Sequence, residues 1–476
     1  MKTLDVYRQY FKAECVYSEV PRRGALVTLT AESNAGMIKY FAGVSFFPHE
    51  DDEDYAVSYD ACCDRELYYG KGRRSKKRDA EYLELLRGVI DEEAERSAEQ
   101  FYGTSLFLRR RWDKGGNMKS KKSIGRRLFE IVRTFLFIVI LIIGILIGFL
   151  SITEYKPADR ETLTVENGTS AVIPAGATLK VMTWNVGYGA LGDNADFFMD
   201  GGTMVDTATL ERVNENMSGI IAEITEEAPD LLLLQETDRS SNRSHSVDET
   251  ALIRESLTGM DSTFANNFKV AFLPYPIPPI GKVDSGLLTL SKYDITGSER
   301  VQLPIPFAWP MRMANLKRCV TINRIPVEGG RELVLVNLHL EAYDDGEGKL
   351  KQTEMLRELL NAEAEKGNYV IAGGDFNQIF SSEDSSLYPA QEGMWTCGEI
   401  DVSLFPEGWQ FIMDETTPSC RSLDKAYAGA DKASFQFYLI DGFIVSSNVT
   451  VNFAETRDLG FVYSDHNPVV MEIILN

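Results

Sequence analysis

Along the C-terminal part of the chain, apolar residues recur in short runs that alternate or stay continuous, broken by turn-forming residues. Leu179–Trp184 alternates as a half-buried strand. Leu231–Leu234 and Tyr369–Ala372 are continuous apolar runs of the kind buried on both faces. Thr289–Asp294, Cys319–Ile325, Glu332–Leu338, Phe437–Val445 and Pro468–Ile474 predict further strands. Thr207–Glu226 sets Val213, Met217, Ile220, Ile221 and Ile224 on one stripe and predicts a helix; Lys351–Glu365 predicts a second. Strands outnumber helices and several are hairpin-like neighbours, which predicts a mixed α/β body with more than one sheet.

The pattern upstream is different. Ala25–Thr30, Met37–Phe47 and Tyr55–Ala61 are β-rich runs separated by Gly, Pro and acidic clusters, and Arg78–Tyr102 has helical spacing. Residues 1–116 therefore read as a small α+β domain whose function the sequence leaves open. His49 reads as a loop residue, and Lys71–Arg78 as a solvated basic loop. Residues 117–133 are a basic juxtamembrane segment, and Thr134–Thr153 carries no charge and is apolar on every face, as a membrane span requires. Lys119, Lys121, Lys122, Arg126 and Arg127 precede the span, whereas Lys156 and Arg160 follow it amid acids. The positive-inside rule then predicts a single-pass cell-membrane protein, its N-terminus cytoplasmic and everything after the span outside the cytoplasm. A second reading takes residues 1–116 as a fused module, or as an upstream extension with Met118 the true start. Residues 154–178 read as a polar linker and 179–476 as the main body.

Composition refines this picture. Of 476 residues, 44% are apolar and 25% charged, as in folded protein. Residues 161–476 hold roughly 47 acidic and 22 basic residues, too acidic for a tight, non-specific grip on a polyanion. A bound cation would restore the positive charge that phosphodiester hydrolysis needs. Six cysteines have no zinc-ligand spacing. Cys397–Cys420 is the one disulfide the sequence suggests; free or buried thiols account for the cysteines equally well.

Chemistry-bearing residues gather where strands end. Asn185 follows Leu179–Trp184; Gln235, Glu236 and Asp238 follow Leu231–Leu234; His339 closes Glu332–Leu338. Tyr369–Ala372 runs into Gly373–Gly374–Asp375–Phe376–Asn377–Gln378, Leu439–Ile440 leads into Asp441, and Ser464–Asp465–His466–Asn467–Pro468 precedes the last strand. Each has a plain explanation as a cap or turn, yet two of only four histidines fall at these boundaries.

Thr183–Trp184–Asn185, Leu234–Gln235–Glu236–Thr237, Val336–Asn337–Leu338–His339–Leu340, Gly373–Gly374–Asp375–Phe376–Asn377, Ile440–Asp441–Gly442–Phe443 and Ser464–Asp465–His466–Asn467–Pro468 resemble, in order, the motifs of the endonuclease/exonuclease/phosphatase superfamily. The resemblance covers roughly 179–475. It implies a four-layered sandwich of two mixed β-sheets flanked by helices, and metal-dependent hydrolysis of phosphate esters. Chemistry and resemblance agree on the roles. Glu236 is the first choice as ligand of Mg²⁺ (or Mn²⁺), with Asn185 and Asp465 completing or supporting its shell. Asp375 would orient and deprotonate water, Asn377 hold the phosphate, Asp441 fix the tautomer of His466, and His339 donate to phosphoryl or leaving oxygen. Arg318, Arg421 and Lys425 are candidate phosphate contacts, or surface charges.

Substrate choice is less legible. His339 stands where the abasic-site repair branch usually has Tyr, which resembles instead the deoxyribonuclease-like and sphingomyelinase-like branches. The Arg that the inositol-phosphatase branch carries after Asp-x-Asn is replaced by Gln378–Ile379. The Pro-rich apolar segments Phe272–Ile280 and Leu303–Met313 read either as loops covering the core or as an interfacial wedge on lipid. The expected function is a membrane-anchored Mg²⁺-dependent phosphodiesterase acting on a phospholipid headgroup, nucleotide or nucleic acid, with the lipid bilayer as partner and no obligate protein partner. The alternatives are an extracytoplasmic nuclease and a non-catalytic binding module on the same scaffold.

Overall fold

The structure, a computed structural model, describes residues 11–18, 26–33, 38–48, 57–68, 108–111 and 124–476 apart from 167 and 345. The chain divides into two compact units, Met1–Thr134 and Phe135–Asn476. In the first, Phe11–Ser18, Leu26–Ser33, Ile38–Pro48, Val57–Tyr68 and Leu108–Arg111 form one five-stranded sheet in that order, antiparallel except for the last pair. The helix expected over Arg78–Tyr102, the basic run Lys71–Arg78, His49 and Met118 lie outside the described residues.

The helix Ile124–Thr153 is longer than the apolar run alone, about 45 Å at the usual rise. Its part Val132–Thr153 is long and apolar enough to cross a membrane.

Two sheets form the body. One has six strands in the order Val449–Thr456, Val469–Leu475, Thr178–Asn185, Leu231–Asp238, Gly281–Ser291 and Asp261–Leu273. The other has seven: Gln410–Ile412, Asp441–Val445, Tyr369–Asp375, Glu332–His339, Cys319–Pro326, Gly297–Gln302 and Arg160–Thr162. Side-chain alternation sorts the layers. Leu179, Val181, Leu231, Leu233, Leu335, Ile371, Phe443 and Met471 meet between the sheets. Met182, Trp184, Leu232 and Leu234 point the other way, toward helices Leu210–Glu227 and Glu249–Ser256. Val334, Val336, Val370 and Ala372 face the helix Glu347–Ala364. The result is the expected four-layered sandwich of mixed sheets flanked by helices.

Polar residues also join the two sheets. Gln235 Nε2 donates to Asn337 Oδ1 at 2.8 Å, and Asn337 Nδ2 donates to Leu234 O, Leu288 O and Thr289 Oγ1. These fully buried amides each find partners, as burial demands, and they pin the register of the strands that carry Glu236 and His339.

Several expectations are corrected. Residues 154–178 are not a free linker: Arg160–Thr162 pairs with Gly297–Gln302, and Ile173 is fully buried in the inter-sheet core. The run Phe437–Val445 breaks into Phe437–Tyr438 and Asp441–Val445, because the amides of Ile440 and Asp441 turn to the Ser419 hydroxyl and Ile440 O accepts from Phe376. The strand placed at Thr289–Asp294 lies at Gly281–Ser291. Cys319, Cys397 and Cys420 are all free thiols, so Cys397 and Cys420 are unbridged.

Candidate active site

The strands that end in polar residues all end on one side of the sandwich. Parallel pairing of Glu332–His339 with Tyr369–Asp375 sets His339 beside Asp375, and Asp441 opposes Asp375 across the antiparallel neighbour. In the other sheet, parallel pairing brings Asn185 beside Gln235. A Cβ on Gly374 would sit 2.0 Å from Leu338 O, so only glycine permits this close strand contact just before Asp375. Glu236 and Asn377 both hold left-handed backbone, with φ of 54° and 51°. Such strain in non-glycine residues is tolerated where a side chain must point a particular way.

Asp375 is the hub. Its Oδ2 accepts from Asn185 Nδ2 at 3.0 Å, lies 3.3 Å from His339 Nε2 and 3.8 Å from His466 Nε2, and its Oδ1 accepts from Asn377 N at 2.9 Å. Nδ1 of His466 is 2.8 Å from Asp441 Oδ2, which leaves Nε2 facing the centre. Trp184 Nε1 donates to His466 O and Ser464 Oγ to Asn185 O, so two motifs far apart in sequence are clamped together. The Asn377 amide donates to Leu340 O at 3.0 Å.

Burial sets the electrostatics. Burial, reinforced by Asp441, pushes Asp375 up to about 7 despite His466 and the donors on it. Burial alone would discharge His466, but Asp441, Cys420 and Asp465 outweigh it and hold its imidazole well above the usual range. His339 goes the opposite way: burial and the charges of Arg318, His466 and Arg243 hold it well below that range. Two imidazoles on either side of one carboxylate are thus pushed in opposite directions.

The donor set suits a hard divalent cation. Glu236 Oε1 has only His339 Nδ1 at 3.9 Å, beyond hydrogen-bond reach. The Asp465 carboxylate has a 3.4 Å contact from Ser464 Oγ and a 3.9 Å approach of His466 Nε2, and burial raises its pKa against the opposing charges of His466 and Arg421. Asp441 Oδ1 is buried without a partner. The carboxylates of Glu236 and Asp465, neither hydrogen-bonded to a cationic side chain, share one cavity wall, which suits Mg²⁺-type ions.

All of these except Asp441 line one cavity of about 660 Å³. Arg318 is on its wall with Nε 3.4 Å from Glu341. Arg421 also reaches it, but the guanidinium donates to Ser422 O, Gly192 O and Ala195 O and lies over Tyr427. Lys425 is held by Asp424 and Ser434 O. Sequence reasoning missed three other wall features. Arg243 forms a buried bidentate pair with Asp238 and covers the Tyr188 ring at 3.6 Å. Tyr343 donates to Asp200 at 2.7 Å. Leu146, Ile147 and Leu150 of the apolar helix are also wall residues. No short motif marks any of them.

The family model described as "Endonuclease/Exonuclease/phosphatase family" matches residues 182–466, more than half of the chain. The chain belongs to that family. Its members are phosphoesterases and nucleases, and the chain is accordingly a hydrolase of phosphate esters. Divalent-metal dependence is the family's property, and the carboxylates above fit it. Among solved structures, the chain is similar to an endonuclease/exonuclease/phosphatase from Beutenbergia cavernae DSM 12333, at 19% identity and a TM-score of 0.43 over 63% of this chain and 72% of that one. It is also similar to D. rerio TDP2 complexed with single-strand DNA product, at 17% identity and 0.39 over 62% and 99%. ANGEL2, a 2′,3′-cyclic phosphatase, gives 13% identity and 0.41 over 66% and 98%. No curated protein matches.

Proposed function

We propose that residues 179–476 form a Mg²⁺-dependent phosphodiesterase, tethered by the span Val132–Thr153 with its active site outside the cytoplasm. The observation that carries this reading is the convergence of His339, Asn185 and His466 on the Asp375 carboxylate, beside Glu236 and Asp465 and open to one cavity.

Glu236 and Asp465, with Asn185 in support, would hold the ion. When bound, it neutralises phosphate oxygen and stabilises the charge that builds up in hydrolysis. Asp375 takes the proton of the attacking water, its raised pKa matching a base that works near neutrality. Asn185 and the Asn377 amide nitrogen hold the carboxylate in place. His466, kept cationic by Asp441, faces the phosphate as a fixed positive donor. His339, neutral in this setting, donates to a phosphoryl oxygen or to the leaving oxygen. Arg318 would meet phosphate, whereas Arg421, whose two terminal nitrogens donate to backbone carbonyls, would shape the wall.

The test is turnover by the full chain in detergent against bis(p-nitrophenyl) phosphate, nucleotides, single- and double-stranded DNA, RNA, inositol phosphates and phospholipids. Diester hydrolysis that needs Mg²⁺, stops with EDTA and is lost in Asp375→Asn is expected. Turnover confined to DNA would replace the reading with a nuclease. Metal binding without turnover of any ester would leave only a binding module.

A further inference from the structure

The cavity is polar at one end and apolar at the other, and the apolar end is built partly from the membrane-spanning helix. Most of that helix is exposed; Leu146 and Ile147 are half-buried and Leu150 is only 7% exposed. These three residues line the same cavity as Glu236, His339, Asp375 and His466. Counted back from Thr153 at 1.5 Å per residue, Leu150 lies about 4.5 Å and Leu146 about 10 Å inside the end of the helix. Those depths lie within the acyl layer that an apolar span of this kind needs around it.

The other side of the apolar end is tied to the point where the helix leaves the membrane. Ser151 Oγ donates to Met313 Sδ at 3.1 Å. Glu154, the first charge after the span, pairs with Lys317 at 3.4 Å and Arg312 at 3.6 Å. The segment containing Met311 and Met313 is thereby held at the end of the helix, where a span would meet the headgroups. Around it Trp309, Met311, Tyr275 and Ile277 stand 59%, 67%, 66% and 94% exposed, although they are large apolar or aromatic side chains. Rings at that depth are the usual anchors of an interfacial surface. A nucleic acid has nothing to place against Leu146, Leu150 and Phe307, and the acidic body offers it no basic track. A bilayer lipid has both parts: an anionic ester for the carboxylate–imidazole end and a hydrocarbon chain for the other.

We infer that the substrate is a lipid phosphodiester of the bilayer, drawn sideways between the span and the 303–316 segment so that its chain stays against Leu146, Ile147 and Leu150 while its phosphate reaches Asp375 and His466. This rests on the phosphoesterase reading above. Water adds to phosphorus, one P–O ester bond breaks, and the departing oxygen takes a proton in balance with the one Asp375 accepts.

The experiment uses the full chain in vesicles of phosphatidylcholine, phosphatidylethanolamine and phosphatidylglycerol with Mg²⁺, one fraction of the phosphatidylcholine carrying a diazirine midway along an acyl chain. Cross-links to Phe307, Met313 or Leu150 are expected; cross-links confined to the outer side of the span, at Ile140 and Ile145, would overturn the portal. Turnover is compared between vesicle lipid, the deacylated glycerophosphodiesters and bis(p-nitrophenyl) phosphate. Vesicle lipid should be preferred by at least tenfold in kcat/KM. Leu150→Trp and Met313→Trp should lower the ratio of vesicle to soluble turnover at least tenfold, with Ile140→Trp leaving it unchanged. Soluble diesters cleaved without any preference for vesicle lipid would refute the lipid portal and leave the phosphodiesterase standing. Cavity cross-links with no ester cleaved under any condition would do the reverse.

Discussion

At the scale of single residues, the candidate site stores instability that the proposed chemistry would use. Asp375 is buried and pushed up to about 7 in the metal-free fold, against an ordinary carboxylate value near 3.8. The native state therefore binds more protons than the unfolded chain between about pH 4 and 7, so stability falls as pH rises through that window. Thermal melting of EDTA-treated protein should show this trend, and Asp375→Asn should flatten it. In turnover the same variant should lose about 10²–10⁴-fold in kcat, the scale of a positioned base, with native circular dichroism. A cation beside Asp375 favours its ionised form, so the acid limb of the Mg²⁺-supported rate should lie at or below pH 7; a limb above 7 would contradict the assignment. His466 supplies the opposite limb. Asp441 is the main group opposing burial there, so Asp441→Asn should let the imidazole discharge at lower pH and move the alkaline limb down by about one unit or more. An unmoved limb would remove Asp441 from this role.

At the scale of elements, what holds each piece in place decides both stability and legibility. The helix Glu347–Ala364 is attached to the seven-stranded sheet near its end by Glu363, whose oxygens accept from Arg324 at 2.6 and 3.1 Å and from Lys366 and Asn368. Partial burial raises the Glu363 pKa, but these donors overcome it and bring it to about 2. Its stabilisation is present above the unfolded value of 4.5 and is lost as pH falls toward 2. After allowance for solvent screening, Glu363→Gln should cost roughly 1–2 kcal/mol at pH 7 and much less near pH 2, as denaturant titrations at the two pH values would measure. The strands that read clearly, such as Leu231–Leu234 and Glu332–Leu338, carry their burial pattern in their own residues. The hairpin Asp261–Leu273 with Gly281–Ser291 did not, because Asn266 and Asn267 interrupt its apolar pattern and are satisfied by Asp284 on the facing strand and by Cys319 N of the other sheet. The edge strand Val449–Thr456 buries only its two end residues and exposes Phe453, so alternation has little to report. The residues proposed for catalysis were legible because they sit at strand ends inside short motifs. Arg243 and Tyr343 were not, since only the fold brings them to the cavity.

At the scale of the whole molecule, the proposed span would decide where the chemistry takes place. The basic residues Lys119, Lys121, Lys122, Arg126 and Arg127 lie before Val132–Thr153, and its far side begins with Glu154. Lys and Arg close to a span are retained on the cytoplasmic side far more strongly than acids are excluded from it. Arg312 and Lys317 do not counter this: both pair with Glu154, which places them at the exit of the span as part of the folded body. The active site should therefore face away from the cytoplasm. Intact cells producing the full chain should hydrolyse a membrane-impermeant phosphodiester in the medium at the rate seen after permeabilisation, and externally added EDTA should stop them. Inserting five Lys residues after Lys156, with Glu154 kept, while replacing the five basic residues before the span should reverse the outcome, with turnover appearing only on permeabilisation. Latent activity in the unaltered protein would place the catalytic body in the cytoplasm; the site chemistry would stand, and the lipid it meets would be that of the inner leaflet.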